Sequence, residues 1–237
     1  MSKNLKWALL VVAIIIIVDQ VLKIWIKTNM LIGESSYLHW GWKVKWAQLL
    51  FVENEGMAFG MKLPFNSGKF ILTSLRLVVI TFIGYFIFKN SKRKLPKAFI
   101  ITLAMIFAGA LGNLIDSLFY GQIFSASNYG DIEPAKFVSW GHGYAKFMHG
   151  KVVDMFYFPL FNVNIPDFVP IWGGRSFMFF EPVFNVADSF ITIGVGILLF
   201  FGNRWFKILH KIEEGEKVAK TAETLSLIHI SEPTRPY

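Results

Sequence analysis

No cysteine occurs among the 237 residues. That excludes a disulfide framework, a zinc–thiolate site and a cysteine nucleophile. Acidic residues are scarce too: 16 stand against 24 lysines and arginines, for a formal charge of +8. Such an excess is one signature of nucleic-acid binding, but here the basic residues flank apolar runs, which points to a membrane and to no nucleic-acid partner. Of the five histidines, His142 and His149 have no ligand spacing to other metal-type residues, so no metal site is expected. What the chain has in abundance is apolar surface, with 54% hydrophobic residues and a mean hydropathy of +0.48, well above an ordinary soluble domain.

Four runs, near 7–26, 70–88, 98–120 and 183–201, are long and apolar enough for transmembrane helices, which need about 20 residues. The first is no signal peptide: it is long, carries Asp19, Gln20 and Lys23, and precedes no small-residue cleavage site. Basic residues set the orientation. Lys3, Lys6, Lys89, Lys92, Arg93, Lys94, Lys97, Arg204, Lys207 and Lys211 flank one side without an acidic residue among them. That side is expected to be cytoplasmic and to hold both termini. The regions 29–67 and 121–180, with balanced charge, are then extracytoplasmic.

Polar residues interrupt these runs. A carboxylate near hydrocarbon is costly and is kept where it is paired or functional. With the helices alternating in direction, Asp19 and Lys23, Arg76, Asn113 and Asp116, and Asn185 and Asp188 all fall in one layer toward the extracytoplasmic side, at about 1.5 Å of rise per residue. The spacing puts Asn113 and Asp116 on one helical face, and Asn185 and Asp188 likewise. Asp19 and Lys23 are placed to form an intrahelical ion pair. Gly109 and Gly112 allow close helix approach.

Between the helices, Trp40, Trp42, Val44 and Trp46 alternate with Gly41, Lys43 and Lys45, a period of two that predicts a strand in a small extracytoplasmic β-sheet. The long loop 121–180 reads as irregular over 125–143. Over 156–180 it is dense in aromatics and proline, which rules out one continuous helix and predicts an interfacial excursion or lid. Residues 1–212 form a single integral-membrane domain. Residues 213–237 form a polar tail, a short helix or disordered, whose last part from Leu225 looks like translated vector sequence and is left out of the expected fold.

The polar clusters spell ordered words: Asp19-Gln20-x-x-Lys23, Asn54-x-Gly56-x-Ala58-Phe59-Gly60, Gly109-x-x-Gly112-Asn113-x-x-Asp116, Val152-Val153-Asp154 and Phe184-Asn185-x-Ala187-Asp188-Ser189. Together, on four helices, they resemble lipoprotein signal peptidase (signal peptidase II). The resemblance implies an aspartic endopeptidase of the bacterial inner membrane, inhibited by globomycin and working without a cofactor. Its substrate would be a diacylglyceryl-modified prolipoprotein, cut just before the lipidated cysteine. The implied catalytic pair is Asp154 and Asp188; Asp19, Lys23, Asn54, Gly56, Asn113, Asp116 and Asn185 are implied as substrate-binding or supporting positions. A monomer is the simplest expectation. The chain departs from the family pattern at Ser117, where many members carry arginine; Arg76 or Lys151 is available to compensate. The 121–180 loop is also longer than in many members. The rival reading is a small ion- or proton-coupled carrier. It fits less well, because the chain has four helices without an internal repeat and its polar residues lie away from the midplane.

Overall fold

The computed structural model describes all residues except 40–42, 56–67, 165, 169–173, 175, 180–181 and 232–237. The main helices are α1 (Lys3–Asn29), α2 (Gly68–Asn90), α3 (Lys97–Ile115) and α5 (Val186–Ser231). All four are long and apolar enough to cross a membrane. Helix α3 continues through a π-helical turn, Asp116–Tyr120, into the short α4, Gly121–Ile123.

Helix α3 is the axis of the bundle: 56% of its apolar span is buried, against 17–22% for the other three. It packs on α1, α2 and α5. Glycine sets the closest approach. A Cβ on Gly109 would lie 2.3 Å from the Ala187 carbonyl oxygen, and one on Gly112 would lie 2.7 Å from an Asp19 carboxylate oxygen. The outward faces of α1, α2 and α5 present residues such as Ile14, Ile17, Leu75, Val78, Phe82, Leu199 and Phe200, which suits hydrocarbon rather than water.

Two apolar cores lie at opposite ends. One gathers Phe99, Ile100, Leu103, Trp205 and Leu209. The other gathers Ile26, Met30, Phe51, Tyr120, Phe124, Val153 and Met155, and joins the helices to a sheet. That sheet has strand order β1-β2-β3, all antiparallel, from β1 (Ser35–His39), β2 (Lys43–Asn54) and β3 (Val152–Tyr157). The described part of the expected Trp-rich strand, from Lys43 on, lies in β2. Trp46 is exposed and lies 6.3 Å from the Phe158 ring, whereas Trp40 and Trp42 lie outside the described residues. A separate two-stranded antiparallel sheet pairs β4 (Phe161–Asn164) with β5 (Ser176–Phe179) in the aromatic, proline-rich stretch.

Helix α1 is longer than expected at both ends, and both boundaries of the last helix differ more tellingly from the sequence expectation. The last helix starts at Val186 rather than 183, because Phe184 is held by β3: it exchanges backbone hydrogen bonds with Phe156 and accepts one from Met155. It also runs far past 201, to Ser231. Residues 203–231 are rich in good helix formers and contain no proline, so nothing local stops the helix. Arg93 anchors the extension, donating to Glu213 at 2.7 Å and to Glu216 at 2.7 Å.

Candidate active site

The site forms where α1, α3, the start of α5 and strand β3 meet. Asn185 is the N-cap of α5: its side-chain oxygen accepts from the Asp188 backbone N–H at 2.9 Å. Asp188 thus occupies the third helical position, where a negative charge also meets the positive end of the helix dipole. A second cap comes from another helix, as Asp19 accepts from the Ala187 N–H at 2.9 Å. The spacing shared by Asn185 and Asp188 is therefore the geometry of a helix start.

Two amides bridge the two candidate catalytic carboxylates. The Asn185 side chain donates to Asp154 at 2.7 Å and to the Asn113 oxygen at 3.1 Å; Asn113 in turn donates to Asp188 at 2.7 Å. Asn54 also hydrogen-bonds the Asp154 carboxylate. Asp154 sits on β3 opposite Val52 and is 3% exposed, while Asp188 is half-buried. Burial foremost, and then the nearby Asp188 charge, push the Asp154 carboxyl up to about 7, against the pull of Lys23 and of the Asn185 and Asn54 hydrogen bonds.

Beneath the pair lies a closed ionic cluster. Lys23, fully buried, reaches Asp19 at 2.8 Å, Asp116 at 2.9 Å and the Asn113 oxygen at 2.8 Å. Three ammonium protons meet three acceptors. Gln20 donates to Asp116 at 2.9 Å and to Asp19 at 3.1 Å, and its own oxygen accepts from Tyr120. Asp116 opens the π turn and accepts from the Val153 N–H at 3.3 Å, so it ties the end of α3 to the strand carrying Asp154. Such π turns recur at functional sites.

The structure brings together Asp19, Lys23, Asn54, Asn113, Asp116, Asp154, Asn185 and Asp188. Gly56 lies outside the described residues. Sequence reasoning passed over Gln20 and Tyr120 as partners; Gln20 stood inside a recognised word, but nothing local marked Tyr120. It also passed over a second buried cluster, in which Lys27 pairs with Glu53 and donates to Ser127 at 3.1 Å, while Lys151 reaches Glu53 at 3.2 Å. Lys151 is thus engaged away from Ser117, whereas Arg76 donates to the Ser117 hydroxyl at 3.3 Å. Among the described residues, no group of three or more His, Asp or Glu side chains is placed to hold a metal ion.

The sequence pattern of signal peptidase (SPase) II matches residues 11–203. The chain belongs to the signal peptidase II family. It is therefore a bacterial multi-pass membrane peptidase. A protein named lipoprotein signal peptidase from Porphyromonas gingivalis is 43% identical over 225 residues, which is 94% of this chain and 92% of that one. Another of that name, from Amoebophilus asiaticus, is 34% identical over 78% of this chain and 72% of its own. A third, from Chlorobium phaeobacteroides, is 30% identical over 82% and 94%.

The elevated Asp154 carboxyl has a consequence for the stability of this peptidase. An unfolded aspartate loses its proton near pH 4, whereas the folded Asp154 keeps its proton to about 7. Between these values the folded state binds more protons, so this group's contribution to stability declines as pH rises through the window. Thermal unfolding in detergent at pH 4.5 to 7.5 should show a falling midpoint for the wild type and a flatter profile for Asp154→Asn. Parallel profiles would rule out a raised carboxyl at this position.

Proposed function

We propose that the chain removes signal peptides from diacylglyceryl-modified prolipoproteins, cutting before the lipidated cysteine, with Asp154 and Asp188 activating a water molecule. The observation that carries this reading is the Asn185–Asn113 bridge, which holds two carboxylates from distant elements in one partly open site. Family membership supplies the reaction class.

Two neighbouring carboxyls that share one proton supply both an acid and a base. In this reading Asp188, the more exposed of the two, accepts a proton from water. Asp154, with its raised carboxyl, donates its proton to the scissile carbonyl oxygen as the water oxygen bonds to carbon. The tetrahedral intermediate then collapses: its hydroxyl returns a proton to Asp154, the C–N bond breaks, and Asp188 passes its proton to the leaving amine. Asp154 and Asp188 end as they began. Asn113 and Asn185 hold the pair in register, and the Lys23 cluster fixes the frame beneath it.

The basic flanks support an orientation with both termini in the cytoplasm, the sheet end extracytoplasmic and the chain in the inner membrane. Acyl chains of the substrate then approach laterally, through lipid, to a site at the membrane boundary. The monomer stays the simplest state for this reading. The test is incubation of purified protein with a diacylglyceryl prolipoprotein in nanodiscs. Cleavage before the modified cysteine, blocked by globomycin, is the expected result. Ion flux in liposomes without cleavage would favour the carrier instead.

A further inference from the structure

Four carboxylates, Asp19, Asp116, Asp154 and Asp188, gather in this layer, yet Lys23 is committed to Asp19, Asp116 and Asn113. The hydrogen bond that Asp188 receives from Asn113 comes from a neutral amide. An ionised carboxylate at a low-dielectric boundary calls for a cation nearby. Helix α2 supplies one. Arg76 shares its face with the buried residues Thr73, Ile80 and Ile87, spaced three, four and eleven residues away, and that face turns inward. Its neighbours Leu75, Leu77, Val78 and Val79 are exposed on the outer face. The Arg76 guanidinium donates to Ser117 at 3.3 Å, and the Ser117 hydroxyl in turn donates to the Asn113 backbone carbonyl at 3.0 Å. The cation therefore meets the π turn four residues on from Asn113, the residue that bonds Asp188.

We propose that Arg76 is a positioning residue whose charge stabilises the Asp188 carboxylate, and that it thereby fixes Asp188 as the base and Asp154 as the acid of the pair. This rests on the aspartate-dyad reading above. Among the described residues, the charged groups around Asp188 are Asp154 from β3, Lys23 and Asp19 from α1, Asp116 from the π turn and Arg76 from α2, with Lys69 two turns before Arg76. Among these carboxylates, Arg76 couples most strongly to Asp188, then to Asp116 and Asp154. The arrangement divides the labour: the buried Lys23 stabilises the frame, and the half-buried Arg76 serves the reacting carboxylate.

The experiment is the pH–rate profile of wild type, Arg76→Gln and Arg76→Lys on a lipidated peptide in nanodiscs. Arg76→Gln should move the acidic limb of kcat upward by about one pH unit, a loss of about tenfold on that limb, with little change in KM. Arg76→Lys, which keeps the charge, should return the limb toward wild type. A folded Arg76→Gln protein with the wild-type limb overturns the proposal. So does a rise in KM alone, which would make Arg76 a substrate contact, or a fall in thermal stability with an unmoved profile. A second measurement needs no arginine variant: the infrared difference between wild type and Asp188→Asn at pH 6. The lost signal should be that of an ionised carboxylate; loss of a protonated-carboxyl band would refute the assignment. Active Asp154→Asn and Asp188→Asn proteins would remove the underlying dyad reading. Inactive ones with an unmoved Arg76→Gln profile would remove only the role of Arg76.

Discussion

Asp154→Asn and Asp188→Asn should each lower prolipoprotein cleavage by about 10³-fold or more while leaving a folded, membrane-inserted protein. Acid–base assistance by one group is worth about 10²–10⁴-fold, and here each carboxyl takes part in both the attack and the collapse of the intermediate. Asparagine keeps the size of the side chain but can neither take a proton from water nor give one to a carbonyl. Asp154→Asn must still coexist with Asn185 and Asn54, which both contact the native carboxylate. The replacement has one acceptor oxygen, enough for the Asn185 donor at 2.7 Å. Folding is therefore expected to survive, as size-exclusion profiles and thermal midpoints would show. Cleavage within tenfold of wild type by either purified variant would end the dyad assignment.

The second large effect concerns folding. Lys23→Met should cost about 3–5 kcal/mol, because breaking a buried ion pair strands its partners. Asp19 and Asp116 are both fully buried, and each bonds this one ammonium. Without it two carboxylates face each other in an apolar bundle, and the Asp19 cap on α5 and the Asp116 hold on β3 both weaken. Lower yield of monodisperse protein and a lower unfolding midpoint are the readouts. The triple change of Lys23→Met with Asp19→Asn and Asp116→Asn removes every unpaired charge and should recover much of the stability. A Lys23→Met protein as stable as wild type would show that the cluster does not hold the bundle together.

Much of this architecture could be read from the chain because its strongest signals are local. An apolar run of twenty residues is visible by length alone, and Asp19 with Lys23 is a pair one helical turn apart. The spacing of Asn185 and Asp188 was also readable, though as a shared helical face; its fuller meaning as a cap and third position needed the helix start at Val186. What stayed hidden depends on distant partners. Tyr120 finds Gln20, and Lys27 finds Glu53, only after α1, α3 and β2 have docked. Arg76 could be placed at the right depth from the sequence, but its partner Ser117 lies on another helix. The loop from 125 to 150 also concealed how tightly it packs. A Cβ on Gly150 would lie 2.1 Å from the Asp116 carbonyl oxygen, and one on Gly143 would lie 2.1 Å from that of Gly121. An irregular segment thus lies tight against the end of α3, which composition alone could not show.

Asn185 both caps α5 and bonds Asp154. Three residues, Asn185 to Ala187, separate the backbone anchor at Phe184, bonded to β3, from the reacting carboxylate on the helix. A single inserted or deleted residue in this stretch would turn Asp188 by about 100° around the helix axis, away from Asn113. Substitutions at Asn185 would loosen the helix start and the site together. An inhibitor that presses on this stretch would thus meet a target with little room to mutate, since an escape change there would have to preserve the helix start and the chemistry at once.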